Sequence, residues 1–336
     1  MPSLTPKENY LRALRHEETE YLPCGLMIDV DPCGVFPPVD CGNKSSNFID
    51  GFGVRWVTSD SAVGGQIPAP GEFLLRDITN WKKVVTLPDL RDYDWQKLAG
   101  QEMACFRVDR QKRALGFYSP NGIFVRLVTL MGFENALIAL VEEPDACNEF
   151  FAAVTSYKIK LAERVARYYK ADTFTIFDDM ATRRNMLMSP DTYRKLIKPH
   201  HKRLNDAIRN YGMLPIQHTC GKADACVEDY IETGAAAWNA VQPCNDIAGI
   251  LDKYGGRIAV EGGWDANGNP GRRDATTEEI RAEVERCFRE YGGREGYIFM
   301  QTFLVSAAVS REDAARNAVI VETINKLRFA GIQKVP

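Results

Sequence analysis

The chain has 336 residues, of which 45% are hydrophobic and 26% charged, and its formal net charge is −3 at pH 7. This balance lacks the concentrated positive charge of proteins that bind polyanions, so nucleic acid is not an expected partner. No apolar run reaches about 18 residues, so no membrane span is predicted, and no signal peptide is visible at the amino terminus. The nine cysteines follow no framework spacing, which predicts free thiols and a cytoplasmic location.

Helix-start signals alternate with short segments rich in β-branched and aromatic residues. Thr5-Pro6-Lys7-Glu8 has the N-cap, proline and acidic residue of a helix start, and Thr276 and Glu279 repeat the capping-box spacing. Alternating strands and crossover helices predict a parallel α/β sheet, here a (β/α)8 TIM barrel. The predicted strands are Leu22–Asp29, Leu115–Ser119, Thr173–Asp179, Leu214–Cys220, Ala236–Gln242, Arg257–Glu261 and Tyr297–Phe303.

An eighth strand is expected between the first two, at a position that the sequence does not fix. Gly53–Thr58 suits either that strand or an irregular N-terminal excursion. Residues of about 30–110 are rich in proline, glycine and aromatics, and we expect them to form such an excursion over the barrel mouth. The whole chain, 1–336, is predicted to be a single domain. A doubly wound open sheet is the alternative fold, but its usual glycine-rich phosphate loop does not occur.

Polar side chains follow nearly every predicted strand. In TIM barrels the carboxyl ends of the strands carry the active site, so these residues are the candidates for function. They are Asp29, Asn121, Asp178, Asp179, His218, Cys220, Gln242, Cys244, Glu261, Asp265 and Gln301.

His218-Thr219-Cys220 carries the most specific chemical signal. Residues two apart on a strand point to the same face, and imidazole with thiolate is a donor pair that suits zinc. Cys244 and Glu261, which end the next two strands, are candidates for the further ligands. A buried cysteine at 244, and a salt bridge or a hydrogen bond to a ligating histidine at Glu261, remain open alternatives.

Asp178-Asp179 ends the strand before the histidine. Adjacent strand residues face opposite sides, so one carboxylate is expected to point into the barrel as an acid–base group or substrate anchor, and the other to anchor a loop. Arg183-Arg184 follows on the same loop, where an anion site and an exposed basic pair are both open. His200 and His201 lie in a predicted outer helix and are not expected to take part in catalysis.

Nearly the whole chain from Thr5 onward resembles the uroporphyrinogen decarboxylase superfamily. The resemblance implies a (β/α)8 barrel with its site at the strand carboxyl ends. The matching stretches are Thr5-Pro6-Lys7-Glu8-Asn9, Phe177-Asp178-Asp179, Ser189-Pro190-Asp191-Thr192-Tyr193, Lys198-Pro199, His218-Thr219-Cys220-Gly221, Gln242-Pro243 and Gly262-Gly263-Trp264-Asp265.

The superfamily contains two chemistries. True uroporphyrinogen decarboxylases are cofactor-free and hold propionates with N-terminal arginines, which the segment Pro23–Asp29 lacks. The zinc-dependent methyltransferases, which work with corrinoid proteins or coenzyme M, use an HxC pair and a later cysteine on the last strand. His218 and Cys220 match that pair, and the resemblance is closest to members found in anaerobes. The last strand, Tyr297–Phe303, lacks the later cysteine, so Cys244, Glu261 or another group replaces it, or no metal binds.

The resulting expectation is a zinc-assisted methyltransferase that moves a methyl group between a small methylated substrate and a corrinoid supplied by a partner protein. A homodimer is also an open expectation. A metal-free decarboxylase or lyase, with Arg126 and Arg183-Arg184 as its candidate arginines, and a non-catalytic barrel that binds a corrinoid protein are the alternatives. The expected roles are Asp178, Asp179 and Gln242 in catalysis, Asn121, Trp264 and Gln301 in substrate binding, and His218, Cys220, Cys244 and Glu261 as zinc ligands.

Overall fold

Seven parallel strands form the central sheet of the computed structural model, which describes residues 2–34, 47–58, 66–272, 274–301 and 311–329. In their order across the sheet, the strands are β1 Val30–Cys33, β5 Ala114–Ser119, β6 Thr173–Phe177, β7 Leu214–His218, β8 Ala237–Val241, β9 Ala259–Gly263 and β10 Tyr297–Met300. The predicted barrel-like α/β fold is therefore confirmed. Thr302 and Phe303 of the predicted last strand lie outside the described residues.

The two edges of the sheet are brought together by the segment before β1. The N–H of Gly25 donates to the carbonyl of Phe299 at 2.8 Å, and the N–H of Phe299 donates to Pro23 at 3.0 Å. This segment thus pairs with β10, while β1 pairs directly with β5. The expected further strand is β1 itself: it follows the predicted Leu22–Asp29 in the chain and lies in the sheet between residues 23–25 and β5.

The first predicted strand is shorter than expected. A turn interrupts it at Met27, whose φ is 67°, and regular pairing resumes at Val30, in β1. Asp29 is therefore not at a strand carboxyl end. It is buried before β1, where it binds the Arg328 guanidinium and accepts from the N–H of Cys24.

Helices follow most of the strands and cover the outside of the sheet. The predicted capping boxes at Thr5 and Thr276 are confirmed, since each side chain exchanges hydrogen bonds with the third helical residue. The α-helices are α1 Pro6–Leu14, α2 Trp81–Val84, α3 Trp95–Cys105, α4 Phe124–Met131, α5 Phe133–Glu142, α6 Pro144–Arg164, α7 Pro190–Leu196, α8 Lys198–Asn210, α9 Val227–Thr233, α10 Ile247–Tyr254, α11 Thr277–Tyr291 and α12 Arg311–Arg328.

Helix α1 packs against the amino ends of the strands. Its Tyr10, Leu11, Ala13 and Leu14 join an apolar cluster inside the curled sheet. The strand members of that cluster are Val30, Ala114, Ile216, Ala237, Ala259 and Ile298. Most of these are the first or second residue of their strand. The amino end of the barrel is therefore filled, which leaves the carboxyl ends for a site.

A small antiparallel sheet lies in the N-terminal excursion, with strands β2 Asn47–Ile49, β3 Arg55–Thr58 and β4 Gln66–Pro68. A fully buried ion pair joins it to α4, with Arg126 Nη1 at 2.7 Å from Asp50 Oδ2. The Phe52 ring lies 4.0 Å from the same guanidinium. Gly53–Thr58 thus belongs to the excursion, and Arg126 is bound to the protein's own carboxylate.

Within the described residues, no single helix is long and apolar enough to cross a membrane. Helices α4 and α5, bent by 117° at their junction, pass that test only as a pair, on length and composition alone.

Candidate metal site at the carboxyl ends of β6 and β7

Asp179, His218 and Cys220 converge just beyond the carboxyl ends of β6 and β7. Their ligand atoms all lie within 4.8 Å of one another. His218 Nε2 is 3.5 Å from Cys220 Sγ and 3.7 Å from Asp179 Oδ1. Tetrahedral zinc with bonds of about 2.0–2.3 Å places neighbouring ligand atoms about 3.3–3.8 Å apart. These two separations already suit one zinc ion.

The electrostatics of Cys220 also suit a cation. Burial, and then the negative charge of Asp179, raise the pKa of the Cys220 thiol well above its usual range. Two anionic ligand groups this close repel each other unless a positive charge lies between them. A divalent cation would remove that repulsion and favour the thiolate, so the donor set of carboxylate, imidazole and thiol fits zinc.

Asp179 also fixes the geometry of the turn after β7. Its Oδ1 accepts the N–H of Cys220 at 2.7 Å, which ties the two loops together at the cluster. Asp179 is half-exposed, so its second oxygen is open to the mouth. The sequence prediction placed Asp179 in catalysis, whereas the structure puts it beside the two ligand candidates.

The adjacent carboxylate, Asp178, is turned away from the cluster. It is fully buried and accepts from the N–H groups of Ile123, Phe124 and Val125, at the start of α4. His201 Nε2 lies 2.8 Å from its Oδ2. Because its oxygens are occupied and its side chain is fully buried, Asp178 anchors the start of α4. These contacts do not support the catalytic role predicted for it.

Two neighbours fix the His218 imidazole: the Phe177 ring packs on one face, and Asn239 faces one ring nitrogen. The Phe177 ring stacks on the imidazole with centroids 4.0 Å apart. Nδ1 lies 2.6 Å from Asn239 Oδ1, which leaves Nε2 directed toward Cys220 and Asp179. Asn239 is not among the residues predicted from the sequence. A single amide inside the otherwise apolar strand Ala237–Val241 was the signal that could have found it.

Glu261 does not join the metal cluster. It pairs in register with Asn239, and Asn239 pairs with His218, so Glu261 lies two strands away from the histidine. At about 4.8 Å per strand that separation is too large for one ion to bind both side chains. The Glu261 carboxylate instead accepts from Asn239 Nδ2 at 2.6 Å and from the Tyr10 hydroxyl at 3.5 Å. Burial raises its pKa to about 7. The predicted ligand role of Glu261 is therefore wrong.

Cys244 lies beside the cluster without belonging to it. It is half-buried in the loop after β8, and its ionised form would raise the pKa of the Cys220 thiol further. Burial raises the pKa of Cys244, while the positive charges of Lys222 and Arg183 oppose that rise. Its role as a ligand remains a prediction.

Gln242 supports the turn that carries Cys220. Its Oε1 accepts the N–H of Gly221 at 3.0 Å, and Asn245 binds the Gly221 carbonyl from the other side. Gly221 has a φ of 85°, and a Cβ there would lie 2.6 Å from the carbonyl oxygen of Thr182, so this turn requires glycine. Gln242 thus acts through the backbone of the turn, and its predicted part in catalysis has no direct contact to support it.

The three predicted substrate-binding residues lie in loops after other strands. Asn121, with a φ of 53°, is buried after β5. Trp264 is buried directly after β9, and Gln301 is half-buried directly after β10. Within the described residues none of them belongs to the Asp179–His218–Cys220 cluster. Their substrate contacts remain predictions.

Comparison with known proteins gives one family. The family model for uroporphyrinogen decarboxylase (URO-D) matches residues 110–322, which is more than half of the chain. A uroporphyrinogen decarboxylase of Thermus thermophilus is 31% identical over 195 residues, covering 54% of this chain and 47% of the relative. One from Carboxydothermus hydrogenoformans is 25% identical over 198 residues, covering 55% and 49%. The chain spans about half the length of these relatives.

Among solved structures, a methyltransferase from Methanosarcina mazei is similar over almost its entire length. The TM-score is 0.70, with 96% of this chain and 99% of that chain covered, at 12% sequence identity. At this identity the similarity establishes the barrel-like fold and leaves the reaction to be argued from the site.

Proposed function

The chain belongs to the uroporphyrinogen decarboxylase family, and from that premise we propose that it is a zinc-assisted methyltransferase. The reaction would move a methyl group between a small methylated substrate, such as a methyl ether, and a corrinoid carried by a partner protein. One observation carries the proposal: Asp179, His218 and Cys220 meet at the carboxyl ends of two adjacent barrel strands. The similar structure from Methanosarcina mazei, itself a methyltransferase, supports it.

The proposed roles follow from the contacts of each residue. His218 Nε2, Cys220 Sγ and an Asp179 oxygen would hold the zinc ion, and Cys244, in the loop after β8, is the candidate for a further ligand. Zinc bound there would supply Lewis acidity to an oxygen or sulfur of the substrate. Phe177 covers one face of the imidazole and limits water on that side. Gln242 holds the turn that aims Cys220 at the cluster.

Zinc content and methyl transfer test the proposal together. Protein purified without chelator is expected to contain about one zinc per chain. Cys220→Ala should weaken zinc binding by more than about 100-fold, because even partners outside the ligand set typically cost 10–100-fold. Methyl transfer from a labelled methyl ether to a reduced corrinoid, followed by corrinoid absorbance, should be lost in the same variant.

Cys105→Ala is the matched control, because this cysteine is exposed on α3 and outside the cluster. It should retain both the zinc and the activity. Zinc near zero in the wild-type protein, together with no effect of His218→Ala on any methyl transfer, would refute the proposal.

A decarboxylase without metal is the second candidate, because the matched relatives have that name. Its expected arginine Arg126 is bound to Asp50 inside the protein, which leaves the exposed Arg183 and Arg184 as the candidates for a substrate carboxylate. Release of CO2 from a polycarboxylate substrate by chelator-treated protein would favour this candidate over methyl transfer.

A further inference from the structure

A line of hydrogen bonds crosses the barrel interior at one level of the sheet. His218, Asn239 and Glu261 are register partners on β7, β8 and β9. Asn239 Oδ1 lies 2.6 Å from His218 Nδ1, and Asn239 Nδ2 lies 2.6 Å from Glu261 Oε2. All three side chains are buried. The line therefore joins His218 of the candidate metal site to Glu261 in the barrel interior through buried side chains.

The orientation of the Asn239 amide is determined by its neighbours on the far side. Its Nδ2 faces two acceptors, the Glu261 carboxylate and the Met300 sulfur, the latter at 2.9 Å. A thioether sulfur accepts hydrogen bonds and cannot donate them. The NH2 group is the amide atom that satisfies both neighbours, so the amide oxygen faces His218.

An amide oxygen cannot donate a hydrogen bond, so the imidazole must do so. His218 Nδ1 then carries the proton, and in the neutral ring Nε2 keeps its lone pair. Nε2 is the atom directed at Cys220 and Asp179. We propose that Asn239, held by Glu261 and Met300, is a positioning residue that keeps His218 in the tautomer whose Nε2 can bind the metal.

That the tautomer serves metal binding rests on the proposed function, but the tautomer itself can be tested in the zinc-free protein. The chain has four histidines. Long-range 1H–15N NMR of histidine-labelled protein at about pH 8.5, where an ordinary imidazole is neutral, distinguishes the two tautomers. His218→Gln identifies the signals of His218. The wild-type spectrum should show a protonated Nδ1 and an unprotonated Nε2.

Asn239→Leu keeps the approximate shape and removes the acceptor. The nearby Asp179 carboxylate then favours a proton on Nε2, so the His218 signals should change to the other tautomer. Asn239→Asp should restore the original tautomer. Its carboxyl group can accept from His218 and, protonated at the other oxygen, donate to Glu261.

Zinc affinity provides the second measurement. Asn239→Leu should weaken zinc binding by about 10–100-fold, the usual cost of losing a partner that orients a histidine ligand. Asn239→Asp should stay close to wild type. Asn205→Leu is the matched control, because Asn205 is equally buried on α8 but binds Thr233. It should leave the tautomer and the zinc affinity unchanged.

The outcomes separate the two proposals. A protonated Nε2 in the wild type, or an unchanged tautomer in Asn239→Leu, overturns the positioning role whatever the zinc result. If Asn239→Leu fails to fold, a protonated Nε2 in the wild type or a changed tautomer in Asn239→Asp still overturns it. A wild-type protein with the stated tautomer but no zinc binding supports the positioning role and refutes the proposed function.

Discussion

The two ends of the barrel are built from the same strands and differ in chemistry. At the amino end, residues such as Val30, Ala114 and Ala237 pack against Leu11 and Leu14 of α1. At the carboxyl end, Asp179 follows β6, His218 is the last residue of β7, and Cys220 follows β7. Between the two ends, Tyr10 and Glu261 meet in the interior. Stability and chemistry are therefore separated along the strand direction, as is usual in such barrels.

This separation predicts a large loss of stability without loss of metal binding from a change at the amino end. Leu14 is buried against that cluster, and Leu14→Ala should lower the free energy of unfolding by about 2–5 kcal/mol. Zinc affinity of the folded protein should be unchanged, because Asp179, His218 and Cys220 lie at the opposite ends of the strands. Urea unfolding and zinc titration measure the two effects. Val141→Ala, at an exposed position on α5, should cost less than about 0.5 kcal/mol.

The adjacent carboxylates Asp178 and Asp179 should show the same separation, Asp178 contributing to stability and Asp179 to metal binding. Asp178→Ala removes the acceptor of three N–H groups at the start of α4 and should cost about 3 kcal/mol of stability. Asp179→Ala should cost little stability, because its side chain is half-exposed, and should weaken zinc binding. Thermal unfolding and zinc affinity in both variants are the readouts. The assignment fails if the two variants exchange these phenotypes.

Much of the fold followed from local signals in the sequence. The two capping boxes located the starts of α1 and α11, and the short β-branched segments located six of the strands closely, because these features act within a few residues. The first predicted strand ran too far, since nothing local indicates the turn at Met27 or the burial of Asp29 by Arg328. That ion pair joins residues almost a chain length apart.

The site was only partly predictable, because local patterns do not reveal contacts between distant segments of the chain. Strand parity placed His218 and Cys220 on one side, and it required Asp178 and Asp179 to diverge. Parity could not say which carboxylate faces the cluster, because the choice depends on the N–H groups of α4. The distance from His218 to Glu261 is set by strand register, which one sequence does not reveal. Asn239 was missed for that reason as well.

The last predicted effect depends on pH and concerns Glu261, which lies between the two ends. Its pKa is about 7 in the folded protein against 4.5 when exposed. Between these values the folded protein keeps a proton that the unfolded chain releases, so this group's contribution to stability is full below pH 4.5 and lost as pH rises through 7. The total is about 3 kcal/mol at most, at 1.36 kcal/mol per pH unit.

Glu261→Gln cannot release a proton, so the stability difference between wild type and this variant should shrink or reverse as pH rises from 4.5 to 7.5. Urea unfolding of zinc-free protein at several pH values measures it. Glu279→Gln is the control, because Thr276 lowers the pKa of that exposed carboxyl and places its transition below pH 4.5. Its difference should stay level in this window. If the Glu261→Gln difference is also level, Glu261 is ionised throughout, and the interior between the two ends is more polar than its burial implies.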